Sequence, residues 1–172
     1  EPERAWRKQR TAEGVPVDGT TWQEILAAAG KLGVDPARII FAGKRGNPHH
    51  LARYPLADLF LDTSPYGAHT TCSDALWMGV PTLTLALPGM LGRQGQSMLH
   101  NLGLHDWVTH SEADYIAQAV AWGQGGQAVL EQLQTQRSQV RSQVAGSPLF
   151  DAPRFAQDWW AALQGLWRQK MA

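Results

Sequence analysis

The amino-acid sequence predicts a single α/β domain, built on a parallel sheet that is flanked by helices. Two short runs, Ala57–Thr63 and Thr82–Ala86, have the length and apolar content of strands in such a sheet. Segments with helical spacing follow each of them. Strands that alternate with helices favour parallel pairing through right-handed crossovers. A length of 172 residues is typical of one domain with a sizeable core.

The first third of the chain predicts short elements after a polar beginning. Residues 1–20 are charged and interrupted by proline and glycine, so we expect a poorly ordered N-terminal segment. Thr20–Glu24 has the pattern of a capping box, which begins a helix that runs to Ala29. Three predicted elements follow, namely a strand over Arg38–Ala42, a loop over Gly43–Pro48 and a short helix over His50–Tyr54.

The rest of the sequence is predicted to be mostly helical. The predicted elements are a helix from about Gly92 to Asn101, a short strand at Val108, and helices over Ser111–Trp122, Gln127–Val144 and Arg154–Gln169. Five of the eight tryptophans lie in this part, and we expect them to pack a helical tail. We therefore divide residues 21–172 into a core over 33–123 and a helical tail over 124–172.

The most informative stretch joins the Ala57–Thr63 strand directly to a helix. Pro65 and Gly67 turn the chain, and His69–Thr71 then open the helix. A helix that begins straight after a parallel strand directs its free N–H groups and the positive end of its dipole at the carboxyl edge of the sheet. This is where α/β proteins hold phosphates. The two threonine hydroxyls can donate to such a ligand, and Asp74 can accept from ribose hydroxyls. The pattern predicts a nucleotide site.

Composition excludes several classes of function. Fifteen basic and fifteen acidic residues give a formal charge of zero, so no excess charge points to nucleic acid or to an anionic membrane. No apolar run approaches the ~20 residues of a membrane span, and Glu1–Arg10 lacks the apolar core of a secretory signal. Cys72 is the single cysteine, which excludes an internal disulfide and agrees with a reducing, cytoplasmic location. We expect it to be a small buried side chain, because a catalytic thiol needs a base beside it.

The sequence predicts no metal site. It contains no D-x-D pair that would hold a magnesium ion. His49 and His50 are adjacent, but local spacing places no third ligand near them. We expect neither a metal nor another cofactor.

A longer pattern carries a resemblance to a known family. After L-D-T-x-P-Y, the residues from His69 to Pro81 read H-T-T-x-x-D-A-L-W-x-G-x-P. This is similar to the donor-binding signature of the O-linked N-acetylglucosamine (O-GlcNAc) transferases, glycosyltransferase family 41, including their bacterial members. The likeness extends back through Arg38–Phe41 and forward to Ser147–Phe150. It implies a Rossmann-like sheet that forms the incomplete C-terminal, donor-binding lobe of a GT-B type glycosyltransferase, followed by a helical tail.

The reaction that the resemblance implies is transfer of N-acetylglucosamine from UDP to a serine or threonine hydroxyl of a protein, with inversion and without a metal. Backbone N–H groups at Thr70 and Thr71 are suited to stabilising the pyrophosphate leaving group. His69 could contact phosphate or sugar, and Asp74 would bind the ribose. These four residues form the phosphate and ribose part of the expected donor site.

The base side of the expected site comes from the loop Gly43–His50 and the residues after it. By register, His50 and Arg53 match a histidine and an arginine that close over the base in the family. Lys44 and Arg45 add positive charge to this loop. The complete expected donor-binding set is His69, Thr70, Thr71, Asp74, His50, Arg53 and Arg45.

The sequence also departs from the family pattern. A glutamine–lysine pair that reaches the phosphates has no counterpart before Gly33, and Ala86–Pro88 replaces a proline-glycine-glutamate segment. The acceptor-side lobe, with its proposed catalytic histidine, and the tetratricopeptide (TPR) repeats that precede it have no counterpart in these residues. We therefore expect no catalytic residue within this chain and no transfer by the chain alone. An upstream lobe and TPR repeats would be its partners.

Two other functions stay open. A non-catalytic binding module that derives from this lobe would keep the sheet and the tail helices without the chemistry. Another UDP-sugar enzyme of the same architecture is the second alternative. Such enzymes usually place paired glutamates after the donor helix, and no such pair follows Asp74.

Overall fold

A computed structural model of the chain describes residues 19–31, 33–40, 42, 43 and 45–171. The chain divides into two compact units, residues 1–50 and residues 51–172. The predicted poorly ordered segment, residues 1–20, falls almost entirely outside the described residues.

The first unit contains a helix, α1, over Gly19–Lys31, in agreement with the predicted helix. A 3-10 turn over Pro36–Arg38 follows it, and a short helix, α2 (Asn47–Leu51), reaches the end of the unit. The strand predicted over residues 38–42 is wrong for its described residues. The Asp35 side chain accepts from the backbone N–H of Ala37, and the N–H of Ile39 donates back to Pro36 within the turn. These local bonds use the backbone groups that a strand would pair with a neighbour.

The second unit is built on a three-stranded parallel sheet. Its strands, in spatial order, are β1 (Phe60–Leu61), β2 (Thr82–Leu85) and β3 (Val108–Thr109). Phe60 pairs with Thr82, and Thr84 pairs with Val108. The parallel sheet confirms the predicted fold class, although β1 is shorter than the run predicted over residues 57–63. The N–H groups of Phe60 and Asp62 donate to the carbonyls of Pro81 and Leu83.

Five helices accompany this sheet in the second unit. They are α3 (Thr70–Trp77), α4 (Gln94–Asn101), α5 (Glu112–Gln124), α6 (Gly126–Ala145) and α7 (Ala152–Met171). Their positions confirm the helices predicted from spacing and capping. The start of α5 is set by Ser111, whose hydroxyl accepts from the N–H of Asp114 at 3.1 Å.

The core of the second unit lies where α3 and α4 contact the sheet and α6 packs on α3. All four residues of β2 are buried, as expected for a central strand of a parallel sheet. Gly79 ends α3 with a φ of 77°, and a side chain there would approach the Arg137 carbonyl on α6 at 3.0 Å. This close approach explains a glycine at that point. The core cluster consists of Cys72, Leu76, Leu99, Leu102, Trp107, Val108, Leu133, Val140 and Val144.

The tail helix α7 differs from these elements, because none of its residues is buried. Trp107 and Trp122 pack together as predicted, with ring centroids 4.4 Å apart. The expectation that the tail tryptophans also pack is wrong for Trp159, Trp160 and Trp167, which are 58%, 62% and 65% exposed. Their apolar face lacks a covering layer within the described residues. None of the described helices is long and apolar enough to cross a membrane.

Candidate functional site

The candidate site lies where the chain leaves β1 and enters α3. The Thr63 hydroxyl donates to the carbonyl of Tyr66 at 3.1 Å, which closes the turn. Gly67 is buried in this turn, and a side chain there would come within 2.9 Å of the Leu91 carbonyl. Close packing of the turn on the segment after β2 therefore requires glycine. This turn delivers the chain to the first residues of α3 at the carboxyl end of the sheet.

The first turn of α3 presents backbone donors. His69 is the N-cap residue, and its side chain does not cap the helix. Helical bonding begins with the N–H of Ser73, which donates to the His69 carbonyl at 3.0 Å. The N–H groups of Thr70 and Thr71 precede that bond, so they have no acceptor within the helix. Both threonine residues are exposed. Together with the positive end of the helix dipole, these groups can bind an anion.

His69 completes this end of the helix. Its ring stacks on that of Tyr66, with centroids 5.4 Å apart and planes 18° apart. Its Nε2 atom is buried and has no hydrogen-bond partner among the described residues. Buried polar atoms in native proteins are nearly always hydrogen-bonded, and an unsatisfied one costs about 1–3 kcal/mol. A ligand with a polar group at this position would satisfy Nε2.

Asp74 and Tyr54 lie beside the same helix start. The Tyr54 hydroxyl donates to the Thr71 carbonyl at 3.3 Å. Burial raises the pKa of Tyr54, and the negative charge of Asp74 raises that pKa further. The Asp74 carboxylate is therefore near the Tyr54 hydroxyl, and it is half-buried one turn into α3. Tyr54 was not predicted from the sequence as a site residue, although it directly follows the predicted Arg53.

The residues predicted for the base side are Arg53, Arg45 and His50. Arg53 is half-buried and precedes the 3-10 turn Tyr54–Leu56, which contains the tyrosine that reaches α3. Arg45 is exposed and His50 is half-buried, and both belong to the first unit. Their role on the base side of the site stays a prediction.

A second residue that sequence reasoning missed is Asp62, at the end of β1. It is 3% exposed, and its carboxylate accepts from the N–H of Ala68 and from the hydroxyl of Thr84, both at 2.6 Å. The only signal in the sequence was its place in the L-D-T-x-P-Y pattern, directly after a buried strand.

Cys72 lies in the first turn of α3 but is not exposed at all. Burial raises the pKa of its thiol to about 12, and the charge of Asp62 contributes to the rise. A thiol that stays protonated at neutral pH is a poor nucleophile. The expectation of a small buried side chain is confirmed. Among the described residues, no three His, Cys, Asp or Glu side chains are grouped to hold a metal ion.

The segment after β2 is organised by backbone contacts. The N–H of Ala86 donates to the Thr109 carbonyl at 2.8 Å, and that of Leu87 donates to the Gly92 carbonyl at 3.0 Å. A side chain at Gly92 would lie 2.6 Å from the Leu87 Cβ, so the turn is closely packed. Ala86–Pro88 supplies no carboxylate to the site.

Comparison with known proteins identifies the family. The sequence model described as Glycosyl transferase family 41 matches residues 15–159. The chain belongs to glycosyltransferase family 41. The family match includes the end of β1, the turn and all of α3, so the candidate site lies within the shared region.

Curated relatives of this family-41 chain carry names of one enzyme type. A UDP-N-acetylglucosamine–peptide N-acetylglucosaminyltransferase of Caenorhabditis elegans is 32% identical over 137 residues, which is 80% of this chain and 12% of the relative. The probable UDP-N-acetylglucosamine–peptide N-acetylglucosaminyltransferase SPINDLY of Oryza sativa subsp. japonica is 32% identical. The match covers 86% of this chain and 16% of the relative. The chain thus spans a small part of the length of these relatives.

A solved structure agrees with the sequence comparisons. A variant of the O-GlcNAc transferase of Thermobaculum terrenum superimposes with a TM-score of 0.77 and 31% identity. The superposition covers 90% of this chain and 30% of that chain. It confirms the GT-B type fold expected for the family-41 sequence.

Proposed function

We propose that this chain forms the UDP-N-acetylglucosamine-binding lobe of a protein O-GlcNAc transferase. The enzyme would transfer the sugar to serine and threonine hydroxyls with inversion and without a metal. The start of α3 is the observation that carries the proposal. Uncapped backbone N–H groups, two exposed threonines and the buried Nε2 of His69, which has no partner among the described residues, occur there within three residues. The names of the matched relatives support the choice of donor and acceptor.

In this proposal the diphosphate of the donor binds at the first turn of α3. Negative charge grows on the leaving phosphate as its bond to the anomeric carbon breaks. The N–H groups of Thr70 and Thr71 are fixed in place before the reaction, so they stabilise this charge without reorganising. Loss of one such donor costs about 3–4 kcal/mol of barrier in other enzymes. His69 Nε2 would gain a partner in the phosphate or the sugar.

The nucleoside would bind on the other side of the same turn. Asp74 would accept from the ribose hydroxyls, since its carboxylate lies one turn into the helix. The bond from Tyr54 to the Thr71 carbonyl holds the segment after Arg53 against the helix start. The family register implies Arg53, His50 and Arg45 for the base side, and these assignments stay predictions.

Positive charge from the helix end gives a reason for metal independence. In many nucleotide enzymes a divalent cation neutralises the phosphates. Here the helix dipole and the backbone donors would perform part of that task.

Calorimetry with UDP tests the donor site, with Asp74→Ala as the informative variant. We expect the wild-type chain to bind UDP equally well with and without a chelator. Loss of a hydrogen bond to a carboxylate should weaken UDP binding by about 1.5–3 kcal/mol, or roughly 10- to 150-fold in Kd.

The matched control is Asp158→Ala, which removes an exposed carboxylate that pairs only loosely with Arg154 on α7, at 3.8 Å. It should leave the UDP affinity unchanged. UDP binding that disappears on chelation would contradict metal independence. An equal loss of affinity for uracil and UDP in Asp74→Ala would contradict a ribose contact.

Transfer activity is expected only when the acceptor side is present. Positioning of two reactants can supply about 7–11 kcal/mol of a barrier, and one lobe cannot position an acceptor hydroxyl against a donor sugar. We expect no transfer of labelled N-acetylglucosamine to a serine-rich peptide by the 172-residue chain. A chimera in which this chain replaces the matching part of the Thermobaculum terrenum enzyme should transfer.

A non-catalytic binding module is the second candidate, and one observation favours it. The turn at Ala86–Pro88 offers no carboxylate where the family pattern has a glutamate. If the chimera is folded and binds UDP but transfers nothing, the module is the better description. Transfer by the chimera that Asp74→Ala reduces would exclude it.

A further inference from the structure

Asp62 occupies an unusual position for a charged side chain. Its N–H still donates to the Leu83 carbonyl at 2.9 Å, so its backbone continues the ladder between β1 and β2. The residue is only 3% exposed. Burying a carboxylate is costly unless hydrogen bonds replace its hydration. The hydrogen-bond partners of the Asp62 carboxylate therefore indicate its structural role.

The two carboxylate oxygens of Asp62 contact two different parts of the fold. Oδ2 accepts from the hydroxyl of Thr84, a buried residue of the central strand β2, at 2.6 Å. Oδ1 accepts from the backbone N–H of Ala68, also at 2.6 Å. Ala68 directly precedes the N-cap residue of α3. Hydrogen bonds to an ionised acceptor are roughly twice as strong as neutral ones. Asp62 thus joins the rigid centre of the sheet to the peptide unit that enters α3.

Two glycines shape the space around this carboxylate. A side chain at Gly95, on α4, would lie 2.6 Å from Asp62 Oδ2 and 2.5 Å from the Thr84 hydroxyl oxygen. A side chain at Gly67 would lie 3.5 Å from Oδ2 and closer still, at 2.9 Å, to the Leu91 carbonyl. The Tyr115 hydroxyl donates to the Asp62 carbonyl at 2.7 Å. Residues from α4, α5, β2 and the turn therefore restrict Asp62 to one orientation.

Ala68 links the fixed orientation of Asp62 to the start of α3. The next residue, His69, has φ −106° and ψ −88° and begins the helix without a side-chain cap. Since the His69 side chain does not cap the helix, the direction of its first N–H groups depends on the peptide unit before them, while the Tyr54 hydroxyl bonds to the Thr71 carbonyl. The bond from Ala68 N–H to Asp62 fixes that unit.

We propose that Asp62 is a positioning residue, which holds the turn before α3 so that His69–Thr71 present their donors to the diphosphate. This inference rests on the proposed function of the helix start. Asp62 itself does not touch the donor in this proposal. It acts through Ala68.

Amide hydrogen exchange and UDP calorimetry on the 172-residue chain test the proposal. Asp62→Ala removes both bonds, while Asp62→Asn keeps the shape and an oxygen that can accept from Ala68. Thr84→Val keeps the shape of the strand residue and removes only the bond to Oδ2. Val140→Ala, a buried α6 residue in the same core, is the control for general loss of stability.

We expect Asp62→Ala to raise exchange at Ala68–Thr71 by about 10-fold or more over Val140→Ala, at temperatures where both are folded, because a charge-assisted bond is lost. UDP should bind about 10-fold more weakly. Thr84→Val should show a smaller rise in exchange and a smaller loss of UDP affinity. Asp62→Asn should be close to the wild type in both measurements. If Asp62→Ala does not fold, the exchange and UDP affinity of Thr84→Val and Asp62→Asn still test the proposal.

Exchange that rises equally throughout the core in the Asp62, Thr84 and Val140 variants, with equal UDP affinity, would overturn the proposal. Failure of the wild-type chain to bind UDP would overturn the proposed function instead. The exchange measurement would then still show whether Asp62 holds the helix start.

Discussion

Helices α3 and α7 show how differently two apolar helix faces can be used in one chain. The eight residues of α3 bury Cys72, Ala75 and Leu76, whereas the twenty residues of α7 bury none. Among the described residues, β2 and α6 pack on α3, while α7 packs mainly on the adjoining turn Pro148–Phe150. Apolar spacing therefore predicts that a helix has a face to bury, but not that this chain covers it.

The difference in packing between α3 and α7 also matters for function, because only α3 carries the candidate site. A helix held by strand, turn and neighbouring helix can keep its first turn in a fixed geometry, which a phosphate site requires. A helix that buries nothing opens locally at little cost in free energy. Substitutions at matched positions of the two helices should expose this contrast.

The largest expected effect comes from truncation of a leucine in each helix. Leu76 on α3 is fully buried, and Leu166 on α7 is 63% exposed. Leu76→Ala should lower the free energy of unfolding by about 2–5 kcal/mol, because it removes buried contacts and leaves a cavity. Leu166→Ala should change it by less than about 0.5 kcal/mol. Urea denaturation followed by circular dichroism measures both. Equal losses would show that α7 is covered by part of the folded chain.

The thiol of Cys72 gives a pH-dependent test of burial in α3. Its pKa in the folded state is raised from 9.0 to about 12, so the folded state holds the proton more tightly than the unfolded state. The resulting stability is fully present below pH 9 and is lost as the pH rises toward 12. Between pH 8 and pH 10.5 the wild type should lose about 2 kcal/mol more than Cys72→Ala.

The control for this comparison is internal, because Cys72→Ala keeps every other titrating group. Its loss of packing is the same at both pH values and cancels in the difference. Identical pH dependence in both proteins would mean that the thiol is ionised or accessible in the folded state.

The smallest expected effect concerns the caps of two helices. The Ser111 hydroxyl accepts from the Asp114 N–H at 3.1 Å before α5, and Asp151 Oδ1 accepts from the Arg154 N–H at 3.0 Å at the start of α7. Ser111→Ala should lower the free energy of unfolding by about 1 kcal/mol. Asp151→Ala should fray α7 and reduce helical circular dichroism, with little change in the urea midpoint. A midpoint shift as large as that of Ser111→Ala would show that α7 unfolds together with the core.

Some of this molecule could be read from the sequence with little ambiguity. Local signals set the helices, because Ser111, Gly79 and the apolar spacing of α6 act within a few residues of each boundary. The parallel sheet followed from the alternation of strands and helices. The start of α3 at His69–Thr71 was predicted because a turn-forming segment separates it from a buried strand, and the family pattern covers the same residues.

What required tertiary structure was the pairing of groups far apart in the chain. The strand predicted over residues 38–42 failed because its described residues bond locally, and the exposure of Trp159, Trp160 and Trp167 depends on what covers them. Asp62 looks like an ordinary turn residue until Thr84, 22 positions later, and Ala68 are seen to donate to its carboxylate. The sequence by itself determined where helices begin and which residues could bind an anion, since those properties are local. Burial and long-range hydrogen bonds were decided only by the folded chain, because they depend on which distant groups exclude water together.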